Sequence, residues 1–324
     1  MQMVFQIILL LFSIDAIFVQ AADLASNGSS CQRSCGNVSN IPFPFGIGAG
    51  CYLDPWFEVV CNNSDSWASP KSVLKKLDLE VLNISLGGTV RVNYPTFVKC
   101  VDGAWSNLNT ELRGSPFIFS QSQNRFIAIG CDNFASMADR ALLLIGGCMS
   151  ICGIGNEVVN ASSCNGINCC QSTIPSDLDV FNTSMRPVNK EAYVSTEFTC
   201  RSAFLVEEKW FQKRGTINMN SIMPHVPVVL EWRIPNASFH SLPISYINGS
   251  ASTANNSSPS YICNSKTTSF FSSSRNDVLT YTCSCGNGLE GNPYLLHGCQ
   301  GKLFVPYTLF ISLIFVFVFR FYMC

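Results

Sequence analysis

Cysteine is the residue type in this chain with the most informative chemistry. Of 17 cysteines, Cys324 ends an apolar tail, and the other 16 form an even set between positions 31 and 299. Such density is typical of disulfides formed in an oxidising compartment. Zinc binding is the alternative, but His225, His240 and His297 all lie apart from the short cysteine spacings of a zinc site. We therefore predict no metal site and no other cofactor, and we expect the following residues to be disulfide-bonded: Cys31, Cys35, Cys51, Cys61, Cys100, Cys131, Cys148, Cys152, Cys164, Cys169, Cys170, Cys200, Cys263, Cys283, Cys285 and Cys299.

Cys169 and Cys170 are adjacent in the sequence. Adjacent cysteines rarely bond each other, because disulfide geometry normally places the two Cα atoms farther apart. We therefore expect these residues to join two different segments at one point.

Side chains that could form a catalytic centre are scarce. Glu207 and Glu208 are neighbours, whereas the paired carboxylates of a glycosidase face each other across a substrate. Neighbouring residues of a strand point to opposite faces, so surface charge is the favoured interpretation of this pair. No Gly-x-Ser-x-Gly nucleophile elbow occurs in the sequence. We predict that the chain is not an enzyme.

The charge balance limits the class of ligand. The chain carries 20 basic and 21 acidic residues, a formal net charge of −1. It therefore has no overall positive field that would attract a nucleic acid. An acidic ligand would have to be bound by a local group of basic side chains.

The N-terminus and the glycosylation sequons indicate an extracellular glycoprotein. Residues 1–22 hold an apolar run that ends in Val19-Gln20-Ala21, which is typical of a secretory signal peptide and its cleavage site. Asn-x-Ser/Thr sequons are frequent as well, and beside a signal peptide and many cysteines they predict N-linked glycans. The predicted acceptors are Asn27, Asn37, Asn62, Asn83, Asn160, Asn182, Asn236, Asn248, Asn255 and Asn256.

Short alternating apolar segments predict a mostly β, disulfide-rich, multi-module extracellular ectodomain. Two prolines in residues 41–47 exclude a helix and predict an extended segment with Phe43 and Phe45 on the same side. Tyr52 and Trp56 are interpreted as core residues. Strands are expected at residues 77–84, 90–94, 117–119, 126–129 and 226–232.

The cysteines and the polar stretches divide the chain into modules. Residues 283–299 resemble the closing half of an epidermal-growth-factor-like module, because a Cys-x-Cys is followed by a glycine-rich turn and a final Cys. This resemblance implies that Cys285 pairs with Cys299 and that Cys263 pairs with Cys283. The predicted organisation is a first module at 31–132, a second at 146–246, a Ser/Asn-rich linker at 248–260 and a partial epidermal-growth-factor-like module at 261–300.

Several separated motifs resemble the extracellular part of plant wall-associated receptor kinases. The motif Ile-Pro-Phe-Pro-Phe-Gly-Ile at residues 41–47, with the cysteines on both sides of it, is similar to the start of the family's galacturonan-binding module. The first module is therefore identified as resembling that module. Later segments are similar to a second motif of that module, to the C-terminal wall-associated segment that follows the module in the family, and to the family's growth-factor-like part. Kinase motifs are absent from the sequence, so the resemblance implies no kinase activity for this chain. The similar segments are residues 31–61, 124–132, 164–175, 200–208, 227–232 and 291–300.

The resemblance implies a receptor-like ectodomain that binds cell-wall polysaccharide, either pectin or oligogalacturonide. Galacturonate polymers are anions, and Arg or Lys side chains would contact their carboxylates. The alternative is a protein-interaction ectodomain, a co-receptor or decoy that pairs with other receptor ectodomains and binds no sugar. No sequon lies between Asn83 and Asn160, the longest such gap, so we expect the ligand face to draw on this stretch. The candidate ligand-binding residues are Lys71, Lys75, Lys76, Arg91, Lys99, Arg113 and Arg125.

The C-terminal tail, residues 303–324, leaves the final localisation open. Its apolar run is at the short end for a membrane span. The tail can be interpreted as a genuine membrane anchor, as a lipid-anchor signal or as translated intron sequence. A lipid-anchor signal would normally have a longer polar spacer before the apolar run. We expect the chain to enter the secretory pathway and then either to stay in the plasma membrane, facing the cell wall, or to be secreted to the apoplast.

Overall fold

The structure, a computed structural model, describes most of the region between the predicted signal peptide and the C-terminal tail. The linker at 248–260, the tail at 303–324, Cys263 and the predicted glycan acceptors Asn27, Asn248, Asn255 and Asn256 lie outside the described residues. The described residues are 31–63, 69–100, 105–106, 111–139, 141–153, 158–188, 200–219, 221, 223–240, 268–275, 278–295 and 299–301.

Strands dominate the described residues, which confirms the predicted fold class. All five strands expected from the sequence are present, with bounds shifted by at most two residues. The helices among the described residues are short: α1 is Glu208–Gln212, α2 is Asn236–His240, and two 3-10 turns cover Pro55–Phe57 and Ala161–Ser163. The strands are β1 (Val59–Asn62), β2 (Lys71–Leu74), β3 (Leu79–Ser85), β4 (Thr89–Pro95), β5 (Phe97–Cys100), β6 (Trp105–Ser106), β7 (Phe117–Phe119), β8 (Asn124–Ile129), β9 (Asn133–Ala138), β10 (Leu144–Ser150), β11 (Val158–Asn160), β12 (Cys169–Ser172), β13 (Asn182–Arg186), β14 (Cys200–Glu207), β15 (Thr216–Asn218), β16 (His225–Trp232), β17 (Ile234–Pro235), β18 (Thr268–Arg275), β19 (Val278–Cys285), β20 (Leu289–Gly291) and β21 (Cys299–Gly301).

The largest sheet has the strand order β1-β2-β3-β4-β16-β7, and all its pairs are antiparallel. Along β4, the side chains of Val90, Val92 and Tyr94 are buried while the residues between them are partly exposed. That alternation places one face of the sheet against the core. β16 is buried along most of its length because it lies between β4 and β7.

A second antiparallel sheet has the order β12-β8-β14-β5-β6. β14 and β16, both from the second predicted module, therefore insert between strands of the first. The ranges 31–132 and 146–246 share two sheets, and one hydrophobic cluster of buried residues spans both. Smaller sheets have the orders β10-β9-β13, β11-β15, β17-β19-β18 and β20-β21.

Trp232, the last residue of β16, is the centre of a buried aromatic cluster. Its ring centroid lies 5.3 Å from that of Phe45, 5.9 Å from Phe57 and 5.3 Å from Tyr294. Burial raises the pKa of Tyr294 to about 12, and its neutral hydroxyl accepts a hydrogen bond from the backbone N–H of Cys283. The cluster therefore packs the predicted growth-factor-like range against the first range.

Residues 41–47 correct one local prediction. The segment is not extended, because the backbone N–H of Phe45 donates to the carbonyl of Pro42 at 2.9 Å and closes a turn with a cis bond before Pro44. Proline in the cis form occupies this position of a tight turn. Phe45 enters the aromatic cluster, whereas Phe43 is only partly buried. The prolines exclude a helix, as predicted, but they produce a turn rather than a strand.

Disulfides cross-link the described residues throughout. Cys169 and Cys170 bond to two different partners, as their adjacency predicted, and Cys285 pairs with Cys299 as the growth-factor-like pattern implied. Cys283 is also disulfide-bonded, and its expected partner, Cys263, lies outside the described residues. The bonds are Cys31–Cys51, Cys35–Cys61, Cys100–Cys200, Cys131–Cys152, Cys148–Cys170, Cys164–Cys169 and Cys285–Cys299.

Candidate functional site

The 3-10 turn Pro55–Phe57 determines where the Trp56 side chain lies. Asp54 caps the turn by accepting a hydrogen bond from the Trp56 backbone N–H at 2.9 Å, and Pro55 supplies the backbone angle of a first helical position. Phe57 packs inward on Phe45, with ring centroids 5.1 Å apart. Because the Phe57 side chain points into the core, the Trp56 ring lies at the edge of the core, where it is partly buried and partly exposed.

Two lysines in the turn after β2 lie beside Trp56. The backbone N–H of Lys75 donates to the carbonyl of Glu58 at 3.0 Å, and its ammonium group donates to the Glu58 carboxylate at 2.8 Å. The Lys76 ammonium lies over the Trp56 ring, 4.3 Å from the centroid. We call Tyr52, Trp56, Glu58, Lys75 and Lys76 the cation–aromatic patch.

Glu58 stabilises the charged form of Lys75. The hydrogen bond to the Glu58 carboxylate raises the pKa of Lys75 above its ordinary value, and the negative charge of Glu58 acts in the same direction. Lys75 is therefore a cation over the whole physiological pH range. With two ammonium groups and one carboxylate, the patch has a net positive charge.

The residue types of this patch define the ligand that it can accept. An ammonium group donates charge-assisted hydrogen bonds to carboxylates, and an aromatic ring offers a flat apolar face. A ligand with regularly placed carboxylates and exposed C–H faces fits both groups. A uronic acid polymer has this chemistry.

The remaining sequence candidates lie elsewhere. Lys71, on β2, forms an ion pair with Glu80 at 3.7 Å. Lys99 is on β5, where its register partners are Arg201 and Trp105. Arg113 is exposed in the turn before β7.

Arg91 and Arg125 each form an ion pair with one of two neighbouring carboxylates, Glu207 and Glu208. Arg91 of β4 donates from Nε to Glu207, and Arg125 of β8 lies 3.1 Å from Glu208. The two ion pairs tie strands of both large sheets to the junction of β14 and α1. Both arginines are thus already balanced by protein carboxylates, which the sequence interpretation of Glu207 and Glu208 as plain surface charges did not anticipate.

The sequence predicts that Tyr52 and Trp56 are core residues, and the structure corrects that prediction in part. Both rings pack partly against the core but remain partly exposed, and Trp56 carries a cation over its ring. The Asp54-Pro55 pair is the signal that would have found this, since a capping residue followed by proline predicts a helical turn. In such a turn, Trp56 and Phe57 cannot face the same side.

Two family models match the chain. Residues 31–94 match the model described as wall-associated receptor kinase galacturonan-binding, and residues 161–239 match the model described as wall-associated kinase. Wall-associated receptor kinase-like 6 of Arabidopsis thaliana is 33% identical over 305 residues, which cover 84% of this chain and 44% of that protein.

This chain belongs to the wall-associated receptor kinase family. Two further Arabidopsis thaliana relatives agree: wall-associated receptor kinase-like 3 is 35% identical over 85% of this chain and 39% of its own length, and wall-associated receptor kinase 2 is 29% identical over 83% and 34%. The chain therefore spans less than half the length of these relatives. No solved structure matches it.

The two matched family models cover galacturonan-binding and extracellular regions, not a catalytic domain. These regions imply a location in or facing the cell wall. Among the residues that the structure describes, no helix is long and apolar enough to cross a membrane. No group of His, Cys, Asp or Glu side chains in the same part of the chain could hold a metal ion.

The galacturonan-binding match separates the sequence candidates into two sets. It includes the whole cation–aromatic patch together with Lys71 and Arg91. Lys99, Arg113 and Arg125 lie beyond its last residue.

Proposed function

We propose that this wall-associated ectodomain binds pectin or oligogalacturonide through the cation–aromatic patch. The observation that carries the proposal is the placement of Lys76 over Trp56, next to Lys75, inside the range that matches the galacturonan-binding family model. Location at the cell wall, either in the plasma membrane or in the apoplast, follows from such a ligand.

The geometry supports recognition of adjacent sugar units. Lys75 uses one of its three N–H donors for Glu58 and keeps two for a ligand carboxylate. The Lys76 ammonium lies over the Trp56 ring and forms no ion pair among the described residues, so the N–H groups that face away from the ring are available to a ligand carboxylate. The exposed part of Trp56 would pack on the sugar ring between these contacts.

Removing both positive charges of the patch should weaken binding. We expect Lys75→Gln/Lys76→Gln to lower the affinity for oligogalacturonide by about tenfold or more, because the variant loses the charge-assisted contacts of both lysines with the ligand carboxylates. Titration calorimetry with a defined oligogalacturonide measures the change. The wild-type affinity should also fall as salt rises, because exposed charges are screened.

The control variant is Lys209→Gln/Lys213→Gln, which removes the same number of charges from the exposed side chains of α1 and the residue after it. Its affinity should stay at the wild-type value. Equal weakening by both double variants would show only a general charge effect and would contradict a site at the patch.

The pH dependence of binding follows from the groups at the patch. Because the pKa of Lys75 is raised, the ammonium group stays protonated below and well above neutral pH. The ligand carboxylates protonate only in acid, where carboxyl groups have pKa values of about 3–4. We expect affinity to be constant between about pH 5 and 9 and to fall below about pH 4. Affinity that decreases between pH 6 and 9 would contradict the role of the two lysines.

The arginine set expected from the sequon gap is a separate proposal for the ligand face. Charge reversal of Arg91, Arg113 and Arg125 should weaken oligogalacturonide binding in a salt-sensitive way if this stretch supplies the face. The same change breaks two ion pairs with Glu207 and Glu208, so a folded variant must first be confirmed by circular dichroism. Unchanged affinity in the folded triple variant would contradict a ligand face on this stretch.

A further inference from the structure

The carboxylate of Asp54 accepts a hydrogen bond at each of its two oxygens. Oδ1 accepts from the backbone N–H of Trp56 at 2.9 Å, and Oδ2 accepts from the hydroxyl of Ser238 at 2.5 Å. Ser238 lies 184 positions after Asp54 in the sequence. Hydrogen bonds to an ionised carboxylate are among the strong ones in proteins. This carboxylate therefore connects the 3-10 turn that carries Trp56 to α2.

The α2 helix holds Ser238 in a defined place. Ser238 is 5% exposed. α2 directly follows β17, in which Ile234 pairs with Tyr281 of β19. At the start of α2, the side-chain oxygen of Asn236 accepts a hydrogen bond from the Tyr281 hydroxyl at 3.0 Å, and Tyr281 itself is buried. The hydroxyl that reaches Asp54 is thus presented by a helix that is attached to a buried strand residue.

The 3-10 turn at Pro55–Phe57 depends on its capping side chain. The backbone N–H of Phe57 donates to the Asp54 carbonyl at 2.8 Å and closes the turn. The N–H groups at the start of a helical turn have no partner within the turn, so the Trp56 N–H relies on the Asp54 carboxylate. That carboxylate is only partly buried, and rotation toward solvent would take Oδ1 away from Trp56. The Ser238 hydroxyl opposes this rotation because it holds Oδ2.

We propose that Ser238 is a positioning residue for the cation–aromatic patch. Its hydroxyl orients the Asp54 carboxylate, and Asp54 in turn fixes the backbone that presents the Trp56 ring to a ligand. The inference rests on the proposed function, since it assigns a role in sugar binding. Trp56 lies in the range that matches the galacturonan-binding model, whereas Ser238 lies in the range that matches the wall-associated kinase model. A patch in the first range is therefore completed by a side chain from the second.

Three single variants separate the hydroxyl from a glycan. Ser238→Ala removes the hydroxyl, but it also removes the sequon that begins at Asn236. Ser238→Thr keeps both the hydroxyl and the sequon. Asn236→Asp removes the predicted glycan acceptor, while it keeps Ser238 and an oxygen that can accept from Tyr281. An effect of the hydroxyl should therefore appear in Ser238→Ala alone.

Amide hydrogen exchange of the full chain, expressed as a glycoprotein and measured without ligand, tests the positioning. We expect Ser238→Ala to speed exchange of the Trp56 amide by about tenfold or more, because its acceptor is no longer held in place. The internal control is the amide of Lys75, which donates to the Glu58 carbonyl and should exchange at the wild-type rate. A merely structural role of Ser238 would change both amides alike.

Titration calorimetry of the same proteins with a defined oligogalacturonide tests the consequence for binding. Ser238→Ala should lower the affinity by about threefold or more, because the Trp56 ring would have to be ordered by the ligand. Ser238→Thr and Asn236→Asp should keep the wild-type affinity. An unchanged exchange rate of the Trp56 amide in Ser238→Ala overturns the proposal, and so does unchanged affinity of that variant for a sugar that the wild type binds. Absence of binding by the wild type would instead refute the proposed function, and the exchange rates would still decide whether Ser238 positions Trp56.

Discussion

Replacing Cys100 and Cys200 together with alanine should lower the free energy of unfolding by about 4.7 kcal/mol, because the bond closes a loop of about a hundred residues. The bond joins β5 to β14 at directly paired positions, and the sequence separation is 100. Without it, the unfolded chain regains the freedom of the segment that connects β5 to β14, which are neighbouring strands of one sheet. Denaturant unfolding under non-reducing conditions measures the difference.

The Cys31–Cys51 bond is the matched comparison, since its two cysteines are partly exposed like Cys100 and Cys200 but are separated by only 20 residues. Its removal as a double alanine variant should cost about 3 kcal/mol. The loop-entropy explanation fails if the short-loop variant loses as much stability as the long-loop variant or more.

Trp232→Ala should lower the free energy of unfolding by about 3–5 kcal/mol, as expected for the loss of a buried aromatic side chain. Trp232 is 1% exposed and contacts the rings of Phe45, Phe57 and Tyr294. These residues come from three separate parts of the sequence, so the cavity would loosen all of them. Chemical unfolding followed by circular dichroism provides the measurement.

Trp232→Phe separates the ring packing from the indole N–H. The Nε1 atom of Trp232 is buried and finds no hydrogen-bond partner among the described residues. Because phenylalanine keeps an aromatic ring and removes this unsatisfied donor, we expect a loss below about 2 kcal/mol. Equal losses in the Ala and Phe variants would show that the cluster does not depend on ring packing.

Local patterns predicted the strands well because each pattern is contained in a few consecutive residues. The alternation of Val90, Val92 and Tyr94 identified β4, and the apolar run before Trp232 identified β16. Neither pattern contains the information that β16 lies between β4 and β7. That placement depends on which buried faces fit together, and it joins residues more than a hundred positions apart.

The candidate site shows the same limit. The sequence singled out Lys75 and Lys76 as basic residues but could not place them beside Trp56. Their meeting requires the turn at Pro55–Phe57 and the pairing of β1 with β2. Arg91 and Arg125 looked equally available in the sequence, yet Glu207 and Glu208 neutralise them in the fold.

The strand-rich disulfide-bonded class and the family could be predicted from the sequence, as could an extracellular location, because cysteine number, alternation and short motifs are properties of local order along the chain. The sharing of sheets between the predicted modules and the position of Lys76 over Trp56 depend instead on the three-dimensional fold. Those features arise from contacts between segments that are distant in the sequence. Such contacts form where the segments can bury apolar surface and pair their backbone hydrogen-bonding groups at the same time.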